Sequence, residues 1–182
     1  VDDLIHLLGG QPNKGVSNTF GIGNLPEYDV PNISTADGPA GVRITPNVGI
    51  CTTAWPCSTM LACSFDPDLA TEIGKCVAME VKENNLGVWL APAVNIHRSP
   101  LCGRNFEYYS EDPLVAGKMG AGMVRGVQSM KMAATVKHFA FHIFINEMNI
   151  NNIQNSSDID ELSEIQIENI MLIDKLRSKA NS

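Results

Sequence analysis

The chain has 182 residues, 44% hydrophobic and 18% charged, which is long enough for one full domain with a real core and too apolar for a disordered one. A formal net charge of −7 argues against nucleic acid as a partner, because that affinity rests on clustered Lys and Arg. No apolar run reaches the length of a membrane span and no basic-then-apolar leader is present, so a cytoplasmic protein is expected. Five scattered cysteines, odd in number and without a CxxC pair, point to reduced core thiols rather than a disulfide framework or a zinc site.

Leu4, Ile5, Leu7 and Leu8 predict a short helix ended by Gly9-Gly10. Gly15 to Asn24 reads as loop. Its Gly21-x-Gly23 pair has no strand before it and no helix after it, so it is not a dinucleotide fingerprint. Ile33 to Ala36 is a short strand running into Asp37-Gly38-Pro39-Ala40-Gly41-Val42-Arg43. Asp-Gly-Pro is a turn signal, and Asp37 is either a plain turn residue or a strand-end acceptor for a ligand. Met60 to Phe65 is a strand candidate rich in small residues.

Asp66-Pro67 opens a helix with Leu69, Ile73, Val77 and Val81 at helical spacing, and Asn84 to Gly87 ends it. Val88 to Val94 is a buried strand. The polar loop after it carries His97, Arg98, Arg104, Glu107, Tyr108 and Tyr109. Asp112-Pro113 opens another helix with Val115, Met119, Met123 and Val127 on one face, and its Gly120, Gly122 and Gly126 suit close packing against a sheet. Met132 to Phe139 is the next buried strand, ending on Lys137-His138. This alternation, with no hairpin signal, means an α/β protein with a parallel sheet, open or closed into a barrel.

Sites in such folds lie at the carboxyl ends of strands. Those ends carry Asp37, then His97, Arg98 and Arg104, then Lys137 and His138. The set suits a neutral polyol: a carboxylate accepts from adjacent hydroxyls, while Arg, Lys and His supply charge-assisted donors. Trp55, Tyr108 and Tyr109 offer aromatic faces, or else pack in the core. A phosphate site built on Arg98, Arg104 and Lys137 is the rival, but it lacks a Gly-rich strand–helix turn.

The stretch GVWLAPAVNIHRSPLCGRNFEYYSED, from Gly87 to Asp112, resembles the segment shared by family-three glycoside hydrolases, which include β-glucosidases and β-xylosidases. DGPAGVR, from Asp37, resembles that family's sugar-binding loop. The resemblance implies the first half of a (β/α)8 TIM-type barrel with repeated strand–helix units. It also implies a retaining hydrolase acting on non-reducing β-linked glucose or a related sugar, with a β-glucoside or short β-linked oligosaccharide as ligand and no metal or organic cofactor. It assigns Asp37, Arg43, Arg104, Lys137 and His138 to gripping the sugar, and Arg98 and Glu107 to bracing the loop.

Retaining enzymes need two carboxylates roughly 5–5.5 Å apart. The family's Ser-Asp-Trp nucleophile motif does not occur here, and its acid/base comes from a second domain, so no catalytic residue is assigned and this chain alone is expected to be inactive. A degenerate, non-catalytic carbohydrate-binding protein is the alternative.

The resemblance covers residues 1–140 and fades over 141–182. All 15 Gly and all 10 Pro lie at or before Gly126, and the tail is rich in Ile and Asn. A shifted reading frame or altered gene end after the Lys-His strand accounts for these features together. A divergent loop plus one helix, capped at Ser157 with Leu162 to Leu176 inward, is the other reading. An incomplete barrel leaves strand edges unpaired, so self-association is expected.

Overall fold

The computed structural model describes residues 2–138. The tail from 141, with its predicted helix, lies outside the described residues. Helix α1 (Asp2–Leu8) is followed by β1 (Ile22–Leu25), a 3₁₀ turn at Pro26–Tyr28, β2 (Val30–Ile33) and β3 (Thr35–Ala36). Then come α2 (Ser58–Ala62), α3 (Pro67–Glu83), β4 (Val88–Trp89), a 3₁₀ turn at Asn105–Glu107, α4 (Pro113–Ser129) and β5 (Ala133–Ala134).

The sheet that matters for the site has the order β3-β4-β5 and is parallel throughout. Thr35 is level with Val88 and Ala133, and Ala36 with Trp89 and Ala134. A further parallel bridge joins Ala93 to Lys137, so β4 and β5 stay alongside each other beyond their regular part. All three strands therefore end on one side, which is what a mixed α/β chain with crossover helices requires.

Helices α3 and α4 cover the sheet. Asp66 and Asp112 cap them: each carboxylate accepts from the backbone N–H groups two and three residues on, and a proline follows at the first helical position. Helix α3 buries Ala70, Ile73, Gly74, Val77, Ala78 and Val81, while Leu69 is 40% exposed, so the inward stripe starts one residue later than expected. Met119, Met123 and Val127 of α4 are buried. The helix glycines divide their work. Gly120 faces Val94, on the sheet side. Gly122 and Gly126 instead meet α3, where a Cβ at 126 would lie 2.9 Å from the Cα of Gly74. Their main partner is the neighbouring helix, not the sheet.

Other expectations need correction. Met60 to Phe65 is not a strand: α2 occupies Ser58–Ala62 and buries Ser58, Leu61 and Ala62 at helical spacing, consistent with good helix formers such as Met, Leu and Ala. An antiparallel hairpin, β1 with β2, lies within and beyond the stretch read as loop. Its connection is the 3₁₀ turn plus Asp29 in the left-handed region, not a two-residue Asn-Gly turn, so the usual hairpin signal is missing. The five cysteines are free, but none is in the core: Cys51, Cys57 and Cys63 are exposed, and Cys76 and Cys102 are half-buried.

Candidate functional site

Asp37 follows directly on the last residue of β3, and its turn tolerates little change. Gly38 has φ +121° and Gly41 φ +138°; a Cβ on Gly38 would run into the Gly41 carbonyl, and one on Gly41 into the Thr53 carbonyl. Arg43 N–H closes the turn by donating to Asp37 O at 2.8 Å. Beneath it, the fully buried Trp89 of β4 donates its Nε1–H to Gly38 O at 3.0 Å. The Asp37 carboxylate is thus held from the backbone up.

Lys137 lies just past β5, a hundred residues on in the chain. Its Nζ donates to Asp37 Oδ1 at 2.7 Å, and Arg43 Nη1 approaches Oδ2 at 3.4 Å. The Lys137 side chain is 15% exposed, that of Asp37 31% and that of Arg43 56%, so the pair opens toward solvent on the Arg43 side. Burial pushes the Asp37 carboxyl up, but Lys137, the Gly38 N–H and Arg43 outweigh it and hold the group below its ordinary value. An ionised carboxylate accepts about four hydrogen bonds, so Asp37 keeps capacity for a ligand's hydroxyls.

The second cluster is built on the loop after β4. Arg104 Nε donates to Glu107, whose side chain is almost wholly buried, and Arg104 Nη2 donates to His138 Nε2 at 2.6 Å. Because a guanidinium only donates, Nε2 of His138 must be an acceptor. The ring is therefore neutral and carries its proton on Nδ1, which donates to Asn95 Oδ1 at 3.2 Å. The same Asn95 oxygen accepts the His138 backbone N–H at 2.9 Å. Burial draws the Arg104 pKa down, but Glu107, Tyr108 and the charge of Asp37 raise it on balance. The two clusters adjoin because Lys137, which holds Asp37, and His138, which Arg104 holds, are neighbours in the chain.

Asp37, Arg43, Arg104, Lys137 and His138 thus gather at the ends of β3, β4 and β5. Other residues of the loop behave differently. His97 Nε2 bonds Asn105 O at 2.9 Å within the loop itself. Arg98 is exposed and braces nothing among the described residues, whereas Glu107 does hold Arg104. Tyr108 and Tyr109 are each only 2% exposed and give no open aromatic face. Tyr108 sits edge-on to His138, with ring centroids 6.3 Å apart. Burial raises the Tyr108 hydroxyl against the opposing pull of Arg104, and it raises that of Tyr109 despite a bond with Ser58. Trp55 packs on the core with its buried Nε1 unpaired.

Sequence reasoning missed Asn95 and the Nε1–H of Trp89. The only available signal for Asn95 was a polar residue directly after the buried run to Val94. A cleft of about 450 Å³ adjoins the Asp37 turn, walled by Arg43, Ile44, Pro46, Ile50, Thr53 and the exposed Phe106. It meets the charged cluster through Arg43 rather than enclosing it.

The fold and rim define a mixed α/β protein with a charge-paired polar site at the ends of its parallel strands. Residues 26–168 match the model of the glycosyl hydrolase family 3 N terminal domain, and the chain belongs to that family. The match runs past residue 140, where the sequence motifs fade. Beta-glucosidase A of Butyrivibrio fibrisolvens is 64% identical over 141 residues, 78% of this chain and 17% of the relative. The solved beta-glucosidase 3B of Thermotoga neapolitana, in complex with α-D-glucose, has 46% identity and a TM-score of 0.65. That match covers 72% of this chain and 19% of the neighbour. A beta-glucosidase from Paenibacillus barengoltzii has 37% identity and a TM-score of 0.69, over 78% and 16% of the two chains. The chain spans about a sixth of the length of the first of these relatives.

Proposed function

We propose that this chain is the sugar-gripping part of a retaining β-glucosidase-type hydrolase acting on non-reducing β-linked glucose or a related sugar. One observation carries the reading: beyond the ends of three parallel strands, Asp37 pairs with Lys137 and Arg104 with His138, two hydrogen-bonded pairs set side by side by the adjacency of Lys137 and His138. In it, the Asp37 carboxylate accepts from two neighbouring hydroxyls. Lys137, Arg43 and Arg104 donate to others, and neutral His138 is turned by Arg104 and Asn95 so that its ring orientation is set before the sugar arrives.

The three-stranded parallel sheet is the first part of a (β/α)8 barrel. Its outer strands β3 and β5 pair on one side only among the described residues, which supports self-association of the chain through those edges. The rim residues named here bind and orient the sugar, and no nucleophile or acid/base is assigned among the described residues.

Calorimetry with glucose tests the reading. Binding is expected, and Asp37→Ala should remove on the order of 1.5–3 kcal/mol of it while leaving the fold nearly intact. Unchanged affinity in that variant would sink the assignment, as would displacement of glucose by inorganic phosphate. With an aryl β-glucoside the chain alone should show no turnover.

A further inference from the structure

The Asp37 turn is shaped by a second segment, residues 52–55, that has no regular structure of its own. Thr52 Oγ1 donates to Val42 O at 2.7 Å, and Trp55 N–H donates to Ala40 O at 2.9 Å. Between these, the Thr53 carbonyl presses on Gly41 so closely that only glycine fits there. The turn continues the chain of contacts to the carboxylate residue: Gly41 N–H donates to Gly38 O, and Arg43 N–H to Asp37 O. If segment 52–55 shifts, the turn loses three supports at once.

Glu80 holds that segment. It projects from α3, next to the fully buried Val81, and its Oε1 accepts both the Thr53 N–H at 2.9 Å and the Thr53 hydroxyl at 2.5 Å. Its other oxygen, Oε2, has no hydrogen-bond partner among the described residues. Two bonds converging on one loop residue tie that segment to the helix.

We propose that Glu80 is a positioning residue for the sugar site: it fixes segment 52–55, which fixes the Asp37–Arg43 turn and so aims the Asp37 carboxylate. The inference rests on the reading of Asp37 as the sugar's acceptor. Glu80 touches no ligand, and α3 becomes the rigid post on which the turn is referenced.

The test uses the full chain and three readouts: titration of the Asp37 carboxyl by carbon-13 NMR, glucose affinity by calorimetry, and Tm. Glu80→Ala should move the Asp37 titration up toward its ordinary 3.8, because the carboxylate no longer meets Lys137, which holds it down most, nor the Gly38 N–H and Arg43 in their present geometry. It should also weaken glucose binding by roughly five- to tenfold. Glu80→Gln keeps an acceptor oxygen for Thr53 and should restore both readouts. Thr53→Val, which keeps the N–H and loses only the hydroxyl, should move them the same way by less, and it serves if Glu80→Ala does not fold. Val81→Ala, which weakens the core of the same helix, should lower Tm and leave the Asp37 titration unchanged.

An Asp37 titration that ignores Glu80→Ala and Thr53→Val, that is not restored by glutamine, or that moves equally in Val81→Ala overturns the proposal. If the unsubstituted chain binds no glucose, the sugar reading fails, while the titration still decides whether Glu80 positions Asp37.

Discussion

The α3–α4 pair and the strand-end rim are built on opposite principles. The helix pair is apolar and glycine-lined, with backbones close enough that Gly74 and Gly126 touch, and it follows from residues spaced along two local segments. The rim is polar, and the bonds that assemble it join residues distant in the chain: Asp37 to Lys137, Arg104 to His138, His138 to Asn95. Packing of the first kind tolerates no added volume. Pairing of the second kind tolerates no lost partner. The difference teaches that the helices make the scaffold rigid so that the rim can keep charges half-exposed and still oriented.

Trp89 belongs to both regions, since its ring is 1% exposed in the core and its Nε1–H supports Gly38. Trp89→Ala is therefore the largest expected perturbation, about 3–5 kcal/mol in urea denaturation. Trp89→Phe separates the two roles: most of that loss should be recovered, while the Asp37 turn still lacks its support.

Arg104→Leu attacks the rim alone. It leaves the carboxylate of Glu107, 2% exposed, without its cation, and about 3 kcal/mol of stability should go with it. His138 loses its donor in the same variant, so its Nε2 should show a changed nitrogen-15 shift; an unmoved shift would contradict the tautomer assigned here.

Gly126→Ala attacks the helix pair alone. Helix propensity favours the alanine by about 1 kcal/mol. Its Cβ would meet the backbone of Thr71, Gly74 and Lys75, which cannot rotate away, so a net loss of about 2 kcal/mol is expected. A gain in Tm would show that the two helices separate freely.

The smallest effect is that of pH on Asp37. Its folded pKa lies below the ordinary 3.8, so the stability it contributes is fully present above that value and is lost as pH falls through the folded pKa. Its side chain is about a third exposed, so solvent screening keeps the contribution modest. Asp37→Asn should flatten the acid limb of stability against pH below 4, and acid unfolding curves that superimpose would refute the Asp37–Lys137 coupling.

Local signals explain what was legible in the residues. Asp66-Pro67 and Asp112-Pro113 mark helix starts because a side-chain acceptor and a missing N–H suit that position in any protein. The rim candidates Asp37, Arg104, Lys137 and His138 were readable because each stands at or beyond the end of a strand segment in a parallel pattern. Met60 to Phe65 was misread, since a short apolar run has no period of its own and the burial of Leu61 and Ala62 settles it as helix. The hairpin of β1 and β2 was invisible because its turn uses Asp29 rather than a glycine pair.

The sequence by itself determined the helix caps, the helical spacing of α3 and α4 and the residue types at the strand ends. All of these depend on neighbours a few positions apart. Only the tertiary structure decided that Lys137 pairs with Asp37, that Asn95 sets the His138 proton, and that Glu80 reaches Thr53. Those contacts join residues 27 to 100 positions apart, and no local spacing encodes which of several compatible partners a side chain will meet once the strands are in register.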